Sequence, residues 1–190
     1  MDDSVLAAIA KWPNVPAVFG WLALTARGEW RIKGEPIANE AIRDFIGRNY
    51  AADERGRWFF QNGPQRVYVA LEATPWIYRI DADGAVRSHT GAQPRVLLAA
   101  GLLDDGRFVL QTDLGAGLVD DRDGAAFVRA VTDARGVPLD DHAIERWLSG
   151  DVSAFASPGL LRLASPLRPF ERLRAAALEQ RFGFVRAPAG

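Results

Sequence analysis

The feature that most constrains the fold is a second copy of one segment, placed 102 residues further along the chain. Residues 34–66 align without a gap to residues 136–168. Each copy starts with a Gly-x-Pro turn and places a capping side chain, Asn39 or Asp141, before a one-faced amphipathic pattern. The identities include Gly34/Gly136, Pro36/Pro138, Ala41/Ala143, Ile42/Ile144, Pro64/Pro166 and Arg66/Arg168. An offset that persists through helix, loop and strand predicts an internal duplication.

A duplication divides the 190 residues into two small halves. We predict an N-terminal helix and first strand over residues 1–27, a first half over 28–95, and a second half over 96–190. The second half should end in a basic helix over Pro169–Phe182, because arginines alternate there with apolar residues at helical spacing. An interface between two halves is a common place for a ligand site.

The order of the predicted elements favours an α+β fold. Short strands separated by turn residues fit Arg57–Gln61, Arg66–Leu71, Trp76–Ile80, Ala85–Thr90, Val96–Ala100 and Arg107–Thr112. Helices fit Gly124–Ala134 and Asp141–Leu148. Because strands and helices do not alternate regularly, we expect each half to pack a helix on an antiparallel sheet. The Asp-rich turns that end at Gly84 and Gly106 are predicted to be hairpin turns, since their flanking positions lack calcium-loop ligands.

Composition narrows the chemistry. The chain has no cysteine and only two histidines, His89 and His142, which excludes disulfides, zinc fingers, iron–sulfur clusters and thiol nucleophiles. His89 and Ser88 are neighbours on a predicted strand, so their side chains point to opposite faces, and His142 reads as a surface residue in a first helical turn. We therefore predict a non-enzymatic protein with no cofactor and no metal site.

Charge and hydropathy bear on location and partners. The formal net charge is −1, so a nucleic-acid binder would need a local basic patch. The apolar stretch Val15–Ala26 is too short to span a bilayer as a helix and reads as a buried strand. We expect a cytoplasmic protein without a membrane span, and the sequence leaves its oligomeric state open.

Arginine and aromatic residues are dense in the first half. Alternation along the strand Arg66–Leu71 places Arg66, Tyr68 and Ala70 on one face. Such a face could stack nucleobases or hold an acidic peptide, or its aromatics could be core and its arginines solvated. The predicted binding residues are Trp30, Arg31, Arg57, Trp58, Arg66, Tyr68, Glu72 and Trp76.

Two motifs resemble a known family. Residues 28–37 read G-E-W-R-I-K-G-E-P-I, which is similar to the family's opening pattern G-x-W-x-x-x-G-x-P-I. Residues 64–76 are similar to its second motif, in which a proline precedes alternating apolar residues, an acid, and then Pro and an aromatic. The family is the bacterial domain of unknown function 1285, or a related uncharacterised family. The resemblance implies a duplicated α+β arrangement, a second half like a pleckstrin-homology domain, and a binding role connected with signalling.

Three functions remain after these exclusions. The leading hypothesis is a binding or regulatory module that recognises a protein, a nucleic acid or an anionic ligand at the interface between the halves. One alternative is an enzyme that uses Glu72 or Asp113 as acid or base. A carboxylate with a raised pKa would favour this alternative. The other is a structural protein that dimerises through exposed strand edges.

Overall fold

A computed structural model describes residues 1–133, 135–149, 160–161 and 168–190. The chain divides into two compact units. The first comprises Met1–Pro75, His89–Gly91 and Leu178–Gly190, and the second comprises Trp76–Ser88 and Ala92–Ala177. The boundary in the chain therefore lies at residues 75 and 76, and the last thirteen residues return to the first unit.

The first unit is built on a mixed sheet with strand order β3-β2-β1-β6-β5-β4. Its strands are β1 (Val18–Leu24), β2 (Trp30–Ile32), β3 (Glu35–Pro36), β4 (Tyr50–Ala52), β5 (Trp58–Asn62) and β6 (Gln65–Leu71). Helix α1 (Asp3–Lys11) precedes the sheet, and α2 (Glu40–Arg48) connects β3 to β4. The backbone N–H of Ile42 donates to the Asn39 side chain over 3.1 Å, which is the predicted N-cap of α2.

The second unit has strand order β12-β13-β14-β9-β10-β11-β7-β8. Its strands are β7 (Trp76–Ile80), β8 (Val86–Ser88), β9 (Leu97–Leu103), β10 (Phe108–Thr112), β11 (Ala116–Val119), β12 (Val131–Thr132), β13 (Leu160–Leu161) and β14 (Arg168–Leu173). Its helices are α3 (Gly124–Arg129) and α4 (Asp141–Leu148), while α5 (Leu178–Phe182) belongs to the first unit. Phe127 of α3 is fully buried and stacks on Phe108, with 4.2 Å between ring centroids.

The α+β class is confirmed, and the two sheets are consistent with an internal duplication. Along the chain, β1-β2-β3-α2-β4-β5-β6 and β9-β10-β11-α3-β12-β13-β14 follow the same order. The order of neighbouring strands also matches: β2-β1-β6-β5-β4 in the first sheet corresponds to β10-β9-β14-β13-β12 in the second. In both, the first and last strands pair in parallel, β1 with β6 and β9 with β14. The sheets are thus mixed and not purely antiparallel, because the connection through a helix brings the last strand back in the direction of the first.

The offset of 102 residues matches the last two strand pairs, β5 with β13 and β6 with β14, but neither the earlier strands nor the helices. Strands β6 and β14 lie at this offset, whereas the partner of α2 in element order is α3. Helix α4, which the sequence comparison pairs with α2, stands between β12 and β13, where the first half has only a turn. Its cap is Asp140, which accepts from the Ala143 N–H over 2.7 Å, one residue before the predicted Asp141. Helix-start patterns are local and recur wherever a helix begins, so they misplaced this pairing.

Two predicted helices differ from the structure. The basic helix over Pro169–Phe182 is wrong: residues up to Leu173 form β14, and a helix begins only at Leu178. Exposed Arg172 and Arg174 alternate with half-buried neighbours, which is the period of a strand. The helix predicted over Gly124–Ala134 ends at Arg129, because buried Val131 and Thr132 pair with β13 instead.

Candidate functional site

The first sheet presents different side chains on its two faces, because successive residues of a strand point to opposite sides. On one face Phe60 meets Phe45 of α2 edge-on, with 5.4 Å between ring centroids. We call this the helix face. Phe59 lies on the other face, where it is paired across the sheet with Tyr68. We call this the arginine face, because Arg31, Arg57 and Arg66 all lie on it by strand register.

Two of the three predicted tryptophans, Trp30 and Trp58, lie on the helix face. Trp30 is 3% exposed and meets Tyr50 edge-on at 5.1 Å, and Trp58 lies 4.7 Å from the same Tyr50 ring. The Tyr50 hydroxyl donates to the Pro75 carbonyl over 3.1 Å. The structure therefore separates Trp30 and Trp58 from the arginines with which the sequence grouped them.

His89 belongs to the same aromatic cluster. Its ring lies 5.3 Å from Trp30 and 5.9 Å from Tyr50. The residue as a whole is half-buried, but its Nε2 atom is enclosed. Burial among these rings lowers the pKa of His89 to about 3, and burial raises the pKa of Tyr50 well above its ordinary value. His89 is therefore neutral at physiological pH.

Arg57 and Tyr68 form a closed network with Asp53 on the arginine face. The Arg57 Nε donates to Asp53 Oδ2 over 2.8 Å, its Nη2 donates to the Tyr68 hydroxyl over 3.0 Å, and that hydroxyl donates to Asp53 over 2.9 Å. Burial opposes ionisation of Asp53, yet the hydrogen bonds from Arg57 and Tyr68 outweigh it and lower the pKa of this carboxyl. The network holds a turn in place and engages Nε and Nη2 of Arg57 within the protein.

The C-terminal residues cover part of this network. Phe19 stacks on the Tyr68 ring at 4.5 Å, and the Arg57 Nη1 donates to the Ala189 carbonyl over 3.4 Å. Arg66 remains exposed, with its guanidinium 4.6 Å from the centroid of Phe59. This end of the arginine face is thus filled by the protein's own groups.

The other end of the arginine face contains a groove of about 780 Å³. Its floor is a row across three strands, in which Arg31 is paired with Ala23 and Ala23 with Ala70. The next row holds Glu29, Thr25 and Glu72, and Arg27 lies in the turn above. We call this the charged groove. Two alanines side by side leave the space, and the charged side chains stand around it.

Arg31 has an unsatisfied donor in the wall of the charged groove. Its Nη2 lies 3.5 Å from Glu29 Oε2, and the side chain is 42% exposed. Its Nε atom is buried and has no hydrogen-bond partner within the described residues. A buried donor without a partner is uncommon in folded proteins, and it costs about 1–3 kcal/mol when it stays unpaired.

Glu72 stands across the groove from Arg31. Its Oε2 accepts from the backbone N–H of Ala26 over 2.9 Å, which fixes the carboxylate next to the turn Thr25–Glu29. No further hydrogen bond or ion pair of this carboxylate occurs among the residues that the structure describes. The groove therefore has one guanidinium and one carboxylate with spare hydrogen-bonding capacity.

The remaining predicted residues lie elsewhere. Trp76 is 7% exposed in β7 and belongs to the second unit, whereas the other predicted binding residues belong to the first. Asp113 accepts from the backbone N–H groups of Arg95 and Val96, over 2.9 and 3.2 Å. In the same unit Asp120 is fully buried, and hydrogen bonds from Arg122 lower its pKa to about 2. Every carboxyl group with a resolved shift in the described part of the chain has a lowered pKa.

Arg31 and Glu72, two of the predicted binding residues, line the groove, but the sequence did not predict the groove itself. Ala23, Thr25 and Ala70 carry no chemical signature, and only the parallel pairing of β1 with β6 places them side by side. The face of Ala70 was predictable from alternation, whereas the neighbouring strand was not.

Two findings concern the described residues as a whole. No helix among them is long and apolar enough to cross a membrane. Nor do the described ranges contain three or more His, Asp or Glu side chains arranged to hold a metal ion.

Comparison with known proteins places the chain in a family and gives its fold. None of the curated proteins matches it. The crystal structure of a DUF1285 family protein from Silicibacter pomeroyi DSS-3 superposes with a TM-score of 0.54 at 12% identity, covering 89% of this chain and 95% of that one. A DUF1285 family protein from Shewanella baltica OS155 gives a TM-score of 0.42 at 15% identity, covering 54% of this chain and 85% of that one. The resemblance to DUF1285 or a related uncharacterised family is confirmed, because a family model matches residues 1–189: the chain belongs to the DUF2944 family, described as "Protein of unknown function (DUF2946)".

Proposed function

We propose that the chain is a non-enzymatic cytoplasmic binding module with a regulatory role, and that it takes an anionic group of its ligand in the charged groove. The observation that carries the proposal is the Arg31 guanidinium, whose side chain is 42% exposed and whose one ion pair among the described residues is a 3.5 Å contact with Glu29. A carboxylate or phosphate in the groove would accept from its exposed Nη groups.

The shape of the groove supports a ligand of small size. A volume of about 780 Å³ lies within the range of small-molecule sites, which is about 300–1,000 Å³. The alanine floor allows a ligand to approach the backbone of β1 and β6 closely. A polyanion such as nucleic acid is disfavoured, because Glu29 and Glu72 would repel further phosphates.

Two carboxylates outside the charged groove, Asp53 and Asp120, are unsuited to acid catalysis, and Glu72 in the groove is placed for recognition. A catalytic carboxylic acid usually has a raised pKa. Asp53 and Asp120 have lowered values, because arginines are hydrogen-bonded to them. Glu72 is exposed and is held by a backbone N–H, which is an arrangement suited to recognition of a cation or a donor.

The test follows the Arg31 Nε–H signal by NMR while acetate or inorganic phosphate is added. We expect a saturable shift of this signal and of the Ala23 and Ala70 amides. In Arg31→Met the saturable shift of the amides should disappear, since the variant keeps the length of the side chain without its donors.

Arg55→Met is the matched control. Arg55 is exposed in the turn between β4 and β5 of the same unit, and this variant should titrate like the parent protein. A parent protein without saturable shifts at the groove, or an Arg31→Met variant that keeps them, would overturn the proposal.

A further inference from the structure

Resting on the proposed function, we infer that the ligand of the charged groove is a zwitterion that carries both a carboxylate and an ammonium group, as free amino acids and short peptides do. The groove has two unsatisfied groups of opposite charge in adjacent rows of one sheet face. Among the described residues, the exposed Nη groups of Arg31 have only the 3.5 Å contact with Glu29, and Glu72 has one oxygen unused.

The positions of the two groups follow from strand register. Arg31 lies on β2 and Glu72 directly follows β6, with β1 between these strands. Glu72 is also one side-chain row beyond Ala70, which shares the row of Arg31. Strand and row spacings give about 12 Å between their Cα atoms. The two long side chains and a short zwitterion can bridge that span together, with the carboxylate on Arg31 and the ammonium on Glu72.

The charge balance of the lining argues for the same class. Among the described residues that line the groove, Arg27 and Arg31 are positively charged and Glu29 and Glu72 are negatively charged. A ligand with only an anionic group would be attracted by Arg31 and repelled by Glu72, whereas a zwitterion complements both. Glu29 is the weaker partner for the ammonium, because it already lies 3.5 Å from Arg31.

The experiment uses trialanine as the probe, with two blocked forms. N-acetyl-trialanine lacks the ammonium, and trialanine amide lacks the carboxylate. Calorimetric titration of the full chain should give the tightest binding for trialanine. Each blocked form should bind about tenfold more weakly, which is the effect expected for one lost charge-assisted hydrogen bond. Free alanine, titrated in parallel, distinguishes an amino acid from a peptide as the natural source of the same chemistry.

Two variants assign the ends of the ligand. Glu72→Gln retains an oxygen for the Ala26 N–H and should bind trialanine and N-acetyl-trialanine equally, because the group that senses the ammonium is gone. Arg31→Met should bind trialanine and trialanine amide equally. Glu54→Gln is the control for the first variant, since Glu54 is exposed in a turn of the same unit, and it should retain the full preference.

The outcomes separate the two proposals. If N-acetyl-trialanine binds as tightly as trialanine and both need Arg31, the groove binds anions without reading the ammonium; the zwitterion is then wrong and the proposed function stands. If no carboxylate probe binds but inorganic phosphate shifts the groove amides, the zwitterion is wrong and the proposed function stands; if phosphate does not bind either, both proposals fail. A preference for trialanine that survives in Glu72→Gln would also overturn the inference.

Discussion

At the residue scale, hydrogen-bond partners distinguish arginines that look alike in the sequence. Arg57 donates to Asp53, Tyr68 and the Ala189 carbonyl, so its donors stabilise the fold. Arg31 is on the same face, and its buried Nε has no partner among the described residues. Composition and spacing could not show this difference, because it depends on which acceptors the folded chain brings next to each arginine.

His89 gives a prediction about pH. Because burial lowers its pKa to about 3 in the folded state, the unfolded chain takes up a proton near pH 6.5 that the folded chain does not. The contribution of neutral His89 to the free energy of unfolding is therefore fully present above pH 6.5, and it is lost as the pH falls towards 3. The free energy of unfolding should decrease by up to about 1.4 kcal/mol per pH unit in this window.

The measurement is urea unfolding between pH 7 and about pH 5.5, where carboxylates of the unfolded chain, with pKa values of about 3.9–4.3, are still almost fully ionised. His89→Gln should flatten the pH dependence, whatever it does to stability at pH 7. His142→Gln is the control, because that side chain is 84% exposed, and it should keep the parent slope. An unchanged slope in His89→Gln would contradict the assignment.

The sequence predicted which side chains share a sheet face where alternation alone decides. Alternation placed Arg66, Tyr68 and Ala70 on one face, and the cross-strand register agrees. Trp30 and Arg31 are neighbours in sequence and so point to opposite faces, which separates two residues that we had grouped by composition. The charged groove needed the pairing of β1 with β6, and no local pattern encodes a contact between strands more than 40 residues apart.

At the element scale, one turn geometry recurs along the chain. In Asp53–Arg57 and in Asp81–Ala85, the first residue's N–H donates to the fifth residue's carbonyl, over 2.9 and 2.8 Å, and a glycine at the fourth position has φ of +73° or +84°. The turn Leu103–Arg107 has the same backbone hydrogen bond, over 2.8 Å, and Gly106 has φ of +85°. The prediction of hairpin turns at Gly84 and Gly106 is confirmed. These turns were predictable because their hydrogen bonds are local, whereas β14 was not, since its pairing with β9 is distant.

Substitutions of Gly56 and Gly84 separate two causes of destabilisation in such a turn: the strain of a positive φ and steric overlap of the new Cβ. A Cβ on Gly56 would lie 2.0 Å from the Gly183 carbonyl oxygen, whereas a Cβ on Gly84 would meet nothing within 4 Å. Gly84→Ala should lower stability by about 1 kcal/mol through the positive φ alone. Gly56→Ala should cost at least about 2 kcal/mol more, because backbone atoms must move apart.

Thermal unfolding of the two variants beside the parent protein measures this difference. Circular dichroism at 25 °C confirms that each variant is folded before the comparison. Equal decreases in Tm would mean that Gly183 does not pack against the turn as the structure describes.

At the scale of the whole molecule, the first unit is assembled from distant parts of the chain. Its sheet ends at Leu71, and the segment Leu178–Gly190 then returns to it from the far end of the sequence. The Leu71 N–H donates to the Arg186 carbonyl over 2.8 Å, and the Val185 N–H donates to the Gly56 carbonyl over 3.0 Å. The duplication predicted two halves, but such a return is invisible to a sequence comparison, because the two copies do not share it.

Phe184 tests this return most directly, because it is 4% exposed and anchors the returning segment in the core of the first unit. Phe184→Ala should destabilise that unit by about 3–5 kcal/mol, the usual loss for a buried phenylalanine. Hydrogen exchange should then show a large loss of protection at the Leu71 and Val185 amides, whose acceptors belong to this contact. Phe182→Ala is the matched control: its side chain is only half-buried beside Arg181, so both amides should stay protected. Full protection of Leu71 in Phe184→Ala would mean that the first unit is complete without its C-terminal segment.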